Sequence, residues 1–210
     1  MFIGHHAAAF AAKRFAPGVS LGTLFAAAIL LDLVWPVFLL LGIEHVRIAP
    51  GITAFTPLDF YDYPITHSLL AAIGWSVAFA ILVRRQPVIV GATVLSHWVL
   101  DFVTHRPDLP LWPGGPKYGL GLWNSVAGTI LIEVGLFAAA LIVYLRMTRA
   151  RDRAGRVSLW LLVAFLAMVY IANLYSPPPP GTTAIGWAGL AQWLFVPWGF
   201  WIDRHREVIA

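Results

Sequence analysis

Three residues in the stretch "SHWVLDFVTH" (96–105) can do chemistry together. His97, Asp101 and His105 lie four residues apart, a spacing that stacks side chains on one face of a helix. His97 and Asp101 can therefore offer a nitrogen and an oxygen to the same cation. Zinc accepts such a mixed set, as do manganese and iron. The surrounding sequence is strongly apolar, as it is around Asp32, His67 and Glu133, while His5 and His6 lie near the start. A carboxylate at the centre of a bilayer costs about 2.5–3.5 kcal/mol on insertion scales, so it faces the protein interior and finds a partner. Asp32, His67 and one of the two N-terminal histidines would complete a mononuclear or dinuclear site. The ion would offset the burial of the carboxylates and hold the imidazoles neutral.

Each residue also has a plainer reading. A His-x-x-x-Asp pair is often a hydrogen bond on a helix surface. His105 can snorkel to an interface beside Arg106. Glu133 can accept a hydrogen bond from a neighbouring helix or relay protons, and Asn124 and Asn173 suit interhelical hydrogen bonds. His5 and His6 can be exposed and inert. Taken singly, these readings serve for all but Asp32, His97 and Asp101. Taken together, the groups are better explained by one shared site, with a metal as its natural occupant.

The elements that would position them are membrane helices. Of 210 residues, 60% are apolar and 11% charged, far below the quarter usual in soluble domains. The chain is expected to be one integral membrane domain, an all-α polytopic bundle of about six spans, near 20–43, 64–83, 87–105, 120–145, 157–175 and 184–202. Residues 1–16 are too short to span. They would form either an interfacial helix or a re-entrant one that carries His5 about 12 Å inward at 1.5 Å per residue. Tryptophans, 10 in all, gather near the span ends, as headgroup anchors do. There is no cysteine, which removes thiolate ligands. The start lacks the layout of a signal peptide.

Orientation follows from the basic residues. One set of loops holds Lys13, Arg14, Arg84, Arg85, Arg146, Arg149, Arg151, Arg153, Arg156, Arg204 and Arg206. The other holds Arg47, Arg106 and Lys117, with Glu44, Asp59, Asp62 and Asp108. The positive-inside rule then puts both termini in the cytoplasm. It also accounts for the net charge of +4, so nucleic acid is excluded as a partner. "SPPPPG" (176–181) reads as a stiff polyproline connector. Gly186 and Gly189 read as close-packing positions.

Four stretches carry a resemblance: "GHHAAAFAAKRF" near the start, "LLDLVWP" (30–36), "YPITHSLL" (63–70) and "SHWVLDFVTHRPDLPLWPGGPK" (96–117). Over roughly the first 120 residues the chain resembles a bacterial family of inner-membrane proteins described as membrane-bound metal-dependent hydrolases, one branch of which is called LexA-binding. The resemblance implies a bacterial inner-membrane location and maps the family's polar positions onto His5 or His6, Asp32, His67, His97 and Asp101. Two segments depart from the family. Val34 stands where a second acidic residue is common, and Asp62, Tyr63 and Pro64 replace a His-Arg-Gly.

Two functions fit. In a hydrolase, Asp32, His67, His97 and Asp101 would hold a divalent transition metal, zinc first, and His105 or Glu133 would serve as general base or proton shuttle. Arg106 and Lys117 would steady an anionic group. "WPGGPKYGLG" (112–121) would cover it, or be a plain outer loop. A site near the outer leaflet suits membrane lipid or another amphiphilic ester or phosphoester. In a small ion- or proton-coupled transporter the same groups would carry the ion. A chain this short, with no internal repeat, would then work as a homodimer. A third option is an assembly protein whose polar residues only lock helices together.

Overall fold

The computed structural model describes residues 1–209. Among them the chain forms ten α-helices: α1 (Ile3–Phe15), α2 (Leu21–Ala28), α3 (Leu30–Leu40), α4 (Pro64–His67), α5 (Leu69–Val83), α6 (Pro87–Thr104), α7 (Val126–Met147), α8 (Arg153–Tyr175), α9 (Thr182–Leu190) and α10 (Phe195–Arg204). Three helices, α6, α7 and α8, are each long and apolar enough to cross a membrane. The pair α2 and α3 makes a fourth if counted as one bent span, and α5 is a shorter apolar helix.

Where the sequence reads as uninterrupted spans, the structure breaks several of them. The first expected span divides at Ile29, with a 55° bend between α2 and α3. The second divides at Ser68, whose extended backbone ends α4 while its hydroxyl caps α5 by accepting from Ala71 N at 3.2 Å. The last is α9, a 3-10 turn (Ala191–Leu194) and α10 in succession. Other helix starts follow local rules. Ser20, Ser125 and Asp152 cap α2, α7 and α8, accepting from Thr23 N, Gly128 N and Gly155 N.

The expectation of an all-α chain needs one correction. Three antiparallel two-stranded ribbons join the helix ends: β1 (His45–Ile48) with β2 (Leu58–Asp62), β3 (Leu109–Pro110) with β4 (Lys117–Tyr118), and β5 (Thr148–Ala150) with β6 (Arg206–Val208). These segments lie outside the apolar runs, where hydropathy carries no information about pairing.

Helix α1 lies inside the bundle, packed on α7, α2 and α6. Its small residues allow close approach: Ala9 is fully buried, and the Phe10 ring makes edge contacts with Phe25, Phe137 and Tyr144. Helix α9 is tightly seated on α3. A Cβ on Gly186 would lie 2.7 Å from the Leu40 side chain, and one on Gly189 2.5 Å from Pro36, so both glycines are close-packing positions.

At the far end of α1, Lys13 is buried. Its Nζ donates to Val19 O at 2.7 Å and to Asp203 Oδ2 at 2.8 Å, and that same oxygen accepts from Leu21 N at 2.7 Å. One ion pair thus ties α1, α2 and α10 together. Lys13→Met leaves Asp203 without its cation. The expected loss is roughly 2–3 kcal/mol, below the usual cost of breaking a buried pair because Asp203 keeps some solvent contact. Thermal unfolding in detergent should show a lowered midpoint for Lys13→Met and little change for Arg14→Met at the exposed neighbouring position.

Candidate metal centre

His97 projects from α6 toward the break between α2 and α3. Ending α2 at Ile29 leaves the Ala28 carbonyl open, and His97 Nδ1 donates to it at 2.9 Å. A carbonyl only accepts, so this contact fixes the tautomer and leaves a lone pair on Nε2. That Nε2 is buried without a hydrogen-bond partner. It lies 3.2 Å from Asp101 Oδ2, one turn along α6, and 3.8 Å from Asp32 Oδ1 in the first turn of α3.

His67 ends the single turn of α4. The buried Glu44 carboxylate caps that turn, accepting from Ile65 N at 2.7 Å and Thr66 N at 2.8 Å. Glu44 also takes the Thr66 hydroxyl hydrogen at 2.6 Å. Thr66 Oγ1 is then free to accept from His67 Nδ1, 2.7 Å away. A carboxylate, a hydroxyl and an imidazole therefore line up, and the His67 Nε2 lone pair points inward. It lies 3.6 Å from Asp32 Oδ1 and 3.9 Å from Asp101 Oδ2.

His5 arrives from α1. Its ring stacks on His97 with centroids 3.7 Å apart and planes within 4°, and its Nε2 is 3.0 Å from Asp101 Oδ1. The amino group of Met1 lies 2.7 Å from the same oxygen. His105, at the end of α6, directs Nε2 to within 3.8 Å of Asp101 Oδ1 and gives Nδ1 to Asp108 Oδ1 at 2.9 Å. Tyr63 donates its hydroxyl to that Asp108 oxygen at 3.0 Å.

Five sequence-selected residues from four helices thus converge on Asp101: His5, Asp32, His67, His97 and His105. Two triplets have ligand atoms mutually within 4.8 Å: His5, His97 and Asp101, and Asp32, His67 and His97. The donor set of imidazole nitrogens and carboxylate oxygens suits zinc, manganese or iron, and the orphaned His97 Nε2 is what such an ion would satisfy. Except for His97, whose lone pair points in from behind His5, these side chains line a cavity of about 370 Å³. Phe55, Leu58 and Phe60 also line it, together with Pro177 and Pro179 of the polyproline segment.

Glu133 lines the same cavity from α7. Its Oε2 caps the start of α1, accepting from Phe2 N at 2.9 Å and Gly4 N at 3.3 Å, while Oε1 has no partner. The cap lets a helix begin among other helices without orphaned N–H groups.

Three expected site residues lie elsewhere. His6 turns to the opposite side of α1, where Nδ1 meets the Phe2 carbonyl and the ring packs edge-on to Phe25 and Phe195. Consecutive residues on a helix point about 100° apart, so only one of the two histidines can face the cluster. Arg106 pairs with Asp59 and lies 3.2 Å from Asp108 Oδ2, and Lys117 donates to the Tyr61 carbonyl. Both cations brace the loops that carry Asp59, Tyr61 and Asp108, and neither lines the cavity. Glu44, Thr66, Tyr63 and Asp108, by contrast, support the cluster and were not singled out by the sequence. "HRPD" (105–108) did hold a signal, because a His and an Asp three apart can meet at a helix end.

A cluster of this kind, enclosed by apolar helices, defines a helical integral membrane protein with a buried polar centre. The chain belongs to the YdjM inner membrane protein family, whose model matches residues 1–177 and so includes every residue of the cluster. It is a bacterial inner-membrane protein. No curated protein matches it, and no solved structure does.

The Glu44–Thr66–His67 line makes a specific demand. Thr66→Val removes both the acceptor for His67 Nδ1 and the donor to Glu44. Zinc affinity, measured by competition with a chelator, is expected to fall about 10–100-fold, as when an outer partner of a metal-bound His is lost. Thr66→Ser should restore it.

Proposed function

We propose that the protein is a membrane-embedded metal-dependent hydrolase that cleaves a lipid-like ester or phosphoester. The observation that carries this reading is the convergence of the His67 and His97 lone pairs with the Asp32 and Asp101 carboxylates at the wall of a cavity. His67, His97, Asp32 and Asp101 would hold the ion, with His5 beside them. A bound divalent transition metal supplies Lewis acidity that activates water for attack near neutral pH.

The remaining roles belong to the chain itself. His105 is held as a general base would be: Asp108 fixes Nδ1, Tyr63 fixes Asp108, and Nε2 is left facing the cavity. Glu133 Oε1 is free to take up or pass on a proton from the opposite wall. The aromatic and proline rim keeps water from filling the cavity freely. Arg106 acts by holding Asp59 and Asp108 in place, so an anionic group in the cavity would be neutralised chiefly at the cation site.

The topology proposed with this function has six crossings and both termini in the cytoplasm: α2 with α3, α4 with α5, α6, α7, α8, and α9 with α10. The cavity then faces the outer leaflet. Because the chain has no cysteine, single cysteines can report on this directly. Cysteines placed at Gly115 or Pro178 should react with an impermeant thiol reagent from the periplasmic side. Cysteines at Arg85 or Arg151 should react only after the inner membrane is opened.

The chemistry is tested on purified protein. The expected result is about one transition metal per chain by elemental analysis, lost in His97→Ala and Asp101→Ala, with product released from a panel of lipid esters and phosphoesters. His105→Ala should keep the metal and lose about 10²-fold or more in turnover, the usual worth of a positioned base. Absence of stoichiometric metal rejects the hydrolase. Metal without any product, combined with ion flux in proteoliposomes, assigns the cluster to transport instead.

A further inference from the structure

A second cavity, of about 930 Å³, opens between α8 on one side and α9 and α10 on the other. Its walls are almost wholly apolar. It is not separate from the polar cavity, because Phe2, Trp35, Leu58, Asn173, Pro179 and Gln192 line both. The only polar side chains of the groove, Asn173 and Gln192, stand at that junction, and Gln192 Oε1 is buried there without a partner. Away from the junction the groove runs along α8 as far as Phe165, eight residues or about 12 Å of helix, and along α10 as far as Trp201. Leu194, Phe165 and Trp201 leave its side open, exposed on the 3-10 turn, α8 and α10.

We infer that this groove holds one acyl chain of a membrane lipid, threaded laterally from the bilayer so that the lipid's polar linkage lies at the Asp32–His67–Asp101 cluster. The inference rests on the hydrolase reading for the fate of the linkage, but the seat for the chain stands on geometry alone. Three features select this occupant. The groove is apolar along its length and polar only where it meets the cluster, which matches a molecule with a hydrocarbon tail and one polar end. Its open side runs along α8, a helix long and apolar enough to cross a membrane, so an acyl chain would enter from the bilayer without crossing water. It joins a cavity whose walls carry the only buried titratable cluster in its reach. A second protein helix would cover the open side but would not place a polar group at Gln192 and the cluster.

The test uses the full chain reconstituted in phosphatidylethanolamine and phosphatidylglycerol vesicles. A trace of phosphatidylglycerol carries a diazirine near the end of one acyl chain. After photolysis, peptide mass spectrometry should find labels on Phe165, Val169, Ala188 and Leu194 at least fivefold above those on Leu131 and Leu136, which are exposed apolar residues of α7 outside the groove. Ala188→Trp and, separately, Val169→Trp fill the groove and should each reduce groove labelling several-fold while leaving α7 labelling and bound metal unchanged. Equal labelling of groove and α7 overturns the inference, as does labelling that neither tryptophan affects. Cross-links between two copies of the chain at Leu194, with no lipid adduct there, also overturn it. Because labelling needs no turnover, a protein without metal or product but with the groove label would lose the hydrolase reading and keep this one.

Discussion

Asp101 is the group on which the interior depends. A carboxylate with 3% of its side chain exposed, in a helix of mostly apolar side chains, is largely withdrawn from solvent and must be met by partners. One oxygen receives the Met1 amino group and His5, and the other faces the His97 and His67 lone pairs, where a shared cation would meet all three groups. These partners come from α1, α4 and α6, so satisfying one charge fixes the relative placement of three helices. The core packing around Phe10 and Phe25 then follows from that placement.

The same demand explains why the helices break where they do. A broken helix among other helices exposes backbone groups that must find partners. Each break near the cavity is closed by a side chain that also belongs to the polar system. His97 takes the Ala28 carbonyl, Glu44 takes the N–H groups that begin α4, and Glu133 takes those that begin α1. Irregular backbone and buried polar side chains thus satisfy one another. Removing the polar residues would strand the backbone, and straightening the helices would strand the residues.

This mutual dependence sets how much could be read from the sequence. Asp32, His67, His97 and Asp101 stood out because an ionisable residue in an apolar run is rare and has few physical excuses. The long helices α6, α7 and α8 stood out for the complementary reason. The breaks did not, since "AAAILLD" around Ile29 contains no residue that ends a helix and the interruption comes from a distant imidazole. Pro36, the local breaker in that region, sits inside α3. Glu44 and Asp108 were equally hidden. Acidic residues in loops are ordinary, and nothing local tells a solvated one from one buried in the protein, as Glu44 and Asp108 are. His5 and His6 could not be separated without knowing which face of α1 meets α6.

The tautomer of His97 also bears on how many ions the cluster can hold. The two triplets with ligand geometry share His97, and its Nδ1 is committed to Ala28. A single imidazole lone pair cannot bind two cations at once. For an ion held through His97, the triplets would therefore be alternative seats, the first with His5 and the second with His67. Asp32 keeps about a quarter of its side chain exposed, so the second seat is the more open of the two to the cavity. A metal bound here, as proposed, would form a mononuclear centre held by groups that the helix breaks themselves orient.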